Sequence, residues 1–224
     1  MNCSAALWSR LALTNCVAVI TPRLTERALD AQVDRLLDEL PSRFMLAGLS
    51  LGGIVAMALA RTAPRRVASL ILLSTNPYAP TPEQRGGWRA SRAALNTGRT
   101  ARELQAGWLS LLLSEPARDR PQLVETTLQM ADDVGEADLD AQLALQETRV
   151  DERAGLAQLR CPLLLVAAAD DALCTVARHA EMSQLVPTAK LMIVQNCGHL
   201  SPLERPDAVD AQLGRWCFSA SAGF

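Results

Sequence analysis

Long basic runs, paired cysteines, membrane-length apolar stretches and internal repeats are all missing from this chain of 224 residues, and each absence excludes a class of function. No Lys/Arg run exceeds the Arg65-Arg66 pair, and the net charge is −2. There is no basic field to hold nucleic acid or an anionic lipid surface, so small molecules are the expected partners. The six cysteines (Cys3, Cys16, Cys161, Cys174, Cys197 and Cys217) show no C-x-x-C spacing. They read as reduced thiols acting as small hydrophobes, and neither a metal centre nor a cofactor is expected. Arg10 and Asn15 interrupt the early apolar residues, so the start does not read as an export signal. No run approaches the roughly 20 residues of a membrane span, and a soluble, cytoplasmic protein is expected. With only two histidines present, His179 and His199, few side chains could act as a general base.

What is present is apolar and ordered by period. The hydrophobic content of 49% can fill one sizeable core, consistent with a single domain carrying an insertion. Short β-rich runs at Val17-Ile20, Phe44-Leu49, Leu70-Leu73, Leu163-Ala168 and Leu191-Val194 alternate with helical patterns at Glu26-Leu40, Gly53-Arg61, Val176-Val186 and Pro206-Trp216. Continuous apolar strands between helices predict an α/β fold with a mostly parallel sheet covered on both faces. Between Ser74 and Leu159 no strand run occurs; Arg89-Leu95, Ala101-Leu113, Pro121-Val134 and Asp138-Thr148 read as amphipathic helices. Such a block is too long for an ordinary crossover and suits a lid over the carboxyl ends of the strands. The expected division is a core of residues 1-75 and 160-224 with a helical cap at 76-159.

One motif stands on a strand-to-helix turn: Gly48-Leu49-Ser50-Leu51-Gly52, between Phe44-Ala47 and Ile54-Ala60. A G-x-S-x-G turn holds its serine in a strained backbone conformation and needs glycines where strand and helix meet. Ser50 is therefore a candidate nucleophile, and it needs a base. His179 falls within a helical pattern and is expected on a solvated helix face. His199 follows the last strand in Gln195-Asn196-Cys197-Gly198-His199-Leu200, at a strand end where open α/β sheets place ligand sites. The acid that would orient it is Asp170 or Asp171, both leaving the Leu163-Ala169 run, and spacing alone does not separate the two.

Together these residues resemble the α/β-hydrolase superfamily. Gly48-Gly53 is similar to its nucleophile elbow, and Asn196 to Pro206 (Asn-Cys-Gly-His-Leu-Ser-Pro-Leu-Glu-Arg-Pro) is similar to its histidine loop. The resemblance runs from about residue 17 to 217. It implies Asp171 as the acid, since Ala168-Ala169-Asp170-Asp171 places the second aspartate in the family's acid position. It further implies attack by Ser50 on a carbonyl, proton transfer through His199, and donation by the Leu51 backbone N–H to the oxyanion. The expected activity is hydrolysis of a small carboxylic ester, lactone or thioester. The alternative is a catalytically impaired protein of this fold, binding an apolar ligand between cap residues such as Leu109, Leu111, Leu112, Leu113, Trp88 and Trp108.

One departure stands out. The family's second oxyanion donor lies on a loop with a His-Gly pair, and no glycine precedes Gly48. Residues 1-16 resemble the helix after that loop, with Leu7, Trp8 and Leu11 on one face, so the chain reads as starting just downstream of it. The strand that the family places between Val17-Ile20 and Phe44-Leu49 would then be absent. Either those two strands pair directly, or a second chain or the amino-terminal segment fills the place, or the given start lies downstream of the true one, which is the expected case. Nothing in the pattern identifies the substrate or the oligomeric state.

Overall fold

The computed structural model describes residues 1–12 and 18–221, with side chains to Trp216. A 3-10 turn at Ala5–Trp8 precedes α1 (Leu29–Glu39), β1 (Phe44–Leu49), α2 (Leu51–Thr62) and β2 (Val67–Leu73). A run of helices follows: α3 (Pro82–Asn96), α4 (Ala101–Leu112), α5 (Glu115–Arg118), α6 (Pro121–Thr148) and α7 (Arg153–Ala157). The chain then returns to the sheet with β3 (Leu163–Ala168), α8 (Val176–Leu185), β4 (Lys190–Val194), α9 (Ser201–Glu204) and α10 (Pro206–Ser221).

The four strands form one parallel sheet in the order β1-β2-β3-β4. Its register aligns Leu49 with Leu73, Leu73 with Val166, and Ala168 with Val194, so all four carboxyl ends lie along one edge. Successive strand residues point to opposite faces, and both faces are apolar. Ile71, Leu73, Leu164 and Val166 bury in one cluster with Leu203, Val209 and Leu213, while Leu70, Leu72, Leu163 and Leu165 bury in another with Val33, Ile54 and Met182. Helices therefore cover both sides, as the unbroken apolar runs require.

The helical insertion has its own local signals. Thr81 and Thr100 cap α3 and α4 with full capping boxes through Gln84 and Glu103. Gly135, at φ 75°, breaks α6 into the two stretches anticipated on either side of it. Trp108 and Leu109 pack on the first apolar cluster, and Leu112 and Leu113 are buried within it. Those four pack the insertion against the core.

The amino-terminal region departs from expectation. Val17 lies outside the described residues, and 18–20 form no strand; Val19 and Ile20 are exposed. Among the described residues β1 is thus an edge strand, paired with β2 alone. Its outer side faces a cavity of about 760 Å³ lined by Leu7, Trp8, Ile20, Leu24, Met45 and Ala47 among others. Among the described residues there is neither a mid-sheet gap nor direct pairing of 18–20 with β1. The first residues are tied to the insertion by a buried polar network that the sequence pattern does not disclose. Asn2 donates its N–H to Gln142 Oε1 (2.7 Å) and its amide to Gln105 Oε1 (3.0 Å). Gln105 in turn donates to the carbonyls of Asn2 and Thr127.

Candidate active site

Each candidate residue sits just past the carboxyl end of a strand, and the sheet's hydrogen bonding continues into these loops. Ser50 N–H donates to Leu73 O (3.0 Å), Ser74 N–H to Val166 O (3.0 Å), Ala169 N–H to Val194 O (2.9 Å) and Asp170 N–H to Cys197 O (2.9 Å). The loops holding serine, acid and histidine are therefore fixed to one rigid frame.

Ser50 caps α2 at φ 54°, ψ −116°, a conformation that costs a non-glycine residue about 1–3 kcal/mol. The surroundings hold it there: its carbonyl accepts from Gly53 N–H (3.0 Å), Ile54 N–H (3.2 Å) and the Thr75 hydroxyl (2.9 Å). The steric demand falls differently on the glycines than expected. A β-carbon on Gly48 would come within 2.3 Å of the Gly52 carbonyl oxygen, and one on Gly53 within 2.7 Å of the Thr75 side chain. One on Gly52 would meet nothing within 4 Å. Close approach therefore requires Gly48 and Gly53, and Gly52 contributes only its backbone.

His199 is 2% exposed and Asp171 5% exposed, and the two are paired: His199 Nδ1 lies 2.9 Å from Asp171 Oδ2 and 3.0 Å from Oδ1. Asp171 Oδ1 also accepts from the N–H groups of Leu173 (2.8 Å) and Cys174 (2.9 Å). Burial works against ionisation of this carboxyl. The hydrogen bond and charge of His199 and the two backbone donors outweigh it and hold the group below the ordinary carboxylate range. Asp170 is exposed, which separates the neighbours that spacing left open.

The loop carrying His199 is pinned to the insertion. Buried Glu204 accepts from the Ser114 hydroxyl (2.6 Å), Ser114 N–H (3.3 Å) and Gly198 N–H (3.1 Å), and Leu200 N–H donates to Leu112 O (3.2 Å). A β-carbon on Gly198 would come within 2.5 Å of Ser114 N. Glu204 was visible in the histidine-loop motif, but its partner 90 residues earlier in sequence was not.

His179 is a correction: it lies in the core rather than on a solvated helix face, with 0% exposure. Its Nε2 accepts from Thr75 N–H (3.3 Å) and its Nδ1 lies 3.1 Å from the Thr175 carbonyl oxygen. Burial pushes its pKa below the ordinary histidine value; the Thr175 carbonyl and Asp171 oppose that shift and His199 adds to it. The unfolded chain then binds the proton more readily, so stability contributed by neutral His179 is fully present above about pH 6.5 and is lost as pH falls through the folded value. Denaturant titrations should show wild-type stability falling below pH 6.5 by up to about 1.4 kcal/mol per pH unit more than that of His179→Gln. Parallel pH dependences of the two proteins would contradict this role.

Cys174 was expected to be an inert small hydrophobe, and it is buried as such; yet its sulfur and the ligand atoms of Asp171 and His199 lie within 4.8 Å of one another. Burial raises its pKa to about 12, with Asp171 adding to the shift, so at neutral pH the group is a thiol and a weak ligand. Cys197 is likewise buried with its pKa raised. Cys3 and Cys161 are half-buried and free, and the side chains of Cys16 and Cys217 lie outside the described residues. Among the described residues no helix is long and apolar enough to cross a membrane.

A strained serine at a strand-to-helix turn thus shares a sheet edge with a buried histidine–aspartate pair. The model of the alpha/beta hydrolase family matches residues 6–212. The chain belongs to the alpha/beta hydrolase family. It is 33% identical over 192 residues to a pimeloyl-[acyl-carrier protein] methyl ester esterase of Aromatoleum aromaticum, covering 80% of this chain and 76% of that one. A protein of the same description from Nitrosomonas europaea is 31% identical, with coverage of 80% and 73%. Among solved structures, a thermophilic esterase from Thermogutta terrifontis, described with malate bound, superposes with a TM-score of 0.86 at 25% identity. That match covers 97% of this hydrolase-family chain and 86% of the other. In sequence, then, the chain is carboxylic-ester hydrolase-like.

Proposed function

We propose that this chain is a serine esterase that cleaves a small carboxylic ester, lactone or thioester through an acyl-enzyme on Ser50. The observation that carries the reading is the pairing of buried His199 with Asp171 on the same sheet edge as the strained Ser50 elbow. Asp171 occupies Nδ1, which leaves His199 Nε2 to accept the Ser50 proton as Oγ attacks the carbonyl carbon and to return it to the leaving alcohol. Leu51 is the first residue of α2, so its N–H has no acceptor within the helix and can donate to the tetrahedral oxyanion. Water, deprotonated by the same histidine, then releases the acid and regenerates the hydroxyl. In this reading residues 1–75 and 160–224 form the catalytic core and 76–159 a cap, with a small ester as partner and a cytoplasmic setting. The names of the curated relatives make a methyl ester of a carrier-bound acyl chain the first specific substrate to try.

A fluorophosphonate distinguishes a nucleophilic serine from an inert one, because it forms a stable covalent adduct only with an activated hydroxyl. The wild-type protein should gain one adduct, located by peptide mass to Ser50, and Ser50→Ala should gain none. An unmodified wild-type protein, or full labelling of Ser50→Ala, would remove the assignment.

A further inference from the structure

Arg149 caps the carboxyl end of α6, where the chain leaves the insertion for the core, and is 5% exposed. Its Nη1 donates to Gln146 Oε1 (3.1 Å) and its Nη2 to Gln84 Oε1 (2.9 Å), both neutral amides, while Nε has no hydrogen-bond partner. The guanidinium carbon lies 5.2 Å from the centre of the Trp88 ring. No ion pair to Arg149 is recorded among the described residues. Arg61 by contrast pairs with buried Glu152 and Arg92 with Asp140, while Arg66, whose Nε is also unpartnered, sends its other N–H groups to the carbonyls of Leu37, Leu40 and Pro41.

The charge beside Arg149 has the same sign. Arg85 is close enough to repel it and sends its own Nη1 to the Glu147 backbone carbonyl, whereas the Glu147 carboxylate is taken by Arg89 and Arg92. Burial, with the repulsion of Arg85, lowers the pKa of Arg149 to about 10 against the opposing influence of Cys174. Two neighbouring guanidiniums without an anion are an expensive arrangement for a fold to keep. Arg149 interacts electrostatically with the Cys174 thiol, and that sulfur stands within 4.8 Å of the nearest ligand atoms of Asp171 and His199. Three residues after Arg149, Glu152 N–H donates to the Pro77 carbonyl (2.7 Å), in the loop where Asn76 Nδ2 lies 3.8 Å from the Cys174 sulfur, so this end of α6 is held beside the acid–histidine pair.

We propose that Arg149, flanked by Arg85, is the subsite for a carboxylate on the acyl part of the substrate, so that the preferred ester is a half-ester of a dicarboxylic acid. This rests on the esterase reading of Ser50. A carboxylate accepts two N–H groups side by side, and the free Nε–H with a remaining Nη–H offers that fork. The single buried charge and the Trp88 face suit a flat monoanion on an alkyl chain.

The test compares monomethyl esters of succinate through suberate with methyl esters of monocarboxylic acids of equal length. For at least one length the wild-type half-ester should lead in kcat/KM by about tenfold or more, mainly through KM, as expected for a desolvated charged hydrogen bond. Arg149→Gln should bring that ratio to about one, and Arg85→Gln, at a half-buried position, should reduce it. A wild-type ratio at or below one for every length, or a ratio untouched by both substitutions, overturns the subsite. If no ester is turned over, the esterase reading fails and the subsite is judged by binding. Adipate, and neither hexanoate nor inorganic phosphate, should raise the melting temperature of Ser50→Ala, and Arg85→Gln in that background should weaken the effect. No stabilisation by any of the dicarboxylates, or stabilisation by phosphate alone, overturns it.

Discussion

Replacing His199 by alanine should lower kcat for a small ester by about 10⁴-fold or more while KM stays within a few-fold, because the lost group acts on the proton in flight rather than on bound substrate. Asp171→Asn should cost about as much, for a reason that the hydrogen bonds make specific. Asp171 Oδ1 is held by the Leu173 and Cys174 N–H groups, so an asparagine would keep its oxygen there and turn its NH₂ toward His199. Nδ1 would then have to accept, the proton would move to Nε2, and the ring would face Ser50 in the tautomer that cannot take a proton. A loss of 10⁴-fold corresponds to about 5.4 kcal/mol of transition-state stabilisation. Folding is not the cause, since the amide preserves the buried shape; a native circular dichroism spectrum and cooperative melting of Asp171→Asn check that, with the melting temperature lowered only by the loss of the ionised carboxylate that the fold favours. Retention of more than a tenth of wild-type kcat in His199→Ala would show that another group serves as base.

The elements most easily read from the sequence were those whose chemistry is local. The buried strands were legible because residues such as Leu163 to Ala168 are apolar on both faces, which only a parallel sheet between helices demands. Ser50 was legible because its turn needs glycine where Gly48 meets the helix. His199 and Asp171 needed the family resemblance to be joined, since their 28-residue separation carries no spacing rule. His179 was misjudged because helical periodicity gives the pitch of a helix but not which face meets the sheet: one donor, Thr75 N–H, turns its ring inward. The run at Val17–Ile20 looked like a strand by composition, but a strand exists only where a neighbour supplies its ladder, and Val19 and Ile20 are exposed instead. Contacts such as Ser114 with Glu204 and Asn2 with Gln105 join residues about a hundred positions apart and leave no trace in local pattern.

The two glycines of the elbow should respond in opposite directions to the same added methyl group. In Gly48→Ala the new carbon would meet backbone, 2.3 Å from the Gly52 carbonyl oxygen and 2.6 Å from Gly53 N, and no rotamer change can relieve a clash between main chains. Strand and helix must separate, which loosens the carbonyl bonds that hold Ser50 in its strained conformation. A cost of about 3 kcal/mol or more is expected, which for a chain of this size lowers the melting temperature by about 6–12 °C, together with loss of esterase turnover. Gly52→Ala adds its carbon in open space on a helix, where alanine is favoured over glycine by up to about 1 kcal/mol, so melting should hold or rise slightly. Differential scanning calorimetry of the two variants decides the matter, because equal melting temperatures would mean that β1 and α2 do not approach as closely as Gly48 allows. If the difference appears, the steric reason for the motif in this chain lies in its first glycine and in Gly53 beyond it, and the second glycine is free to vary as far as the fold is concerned.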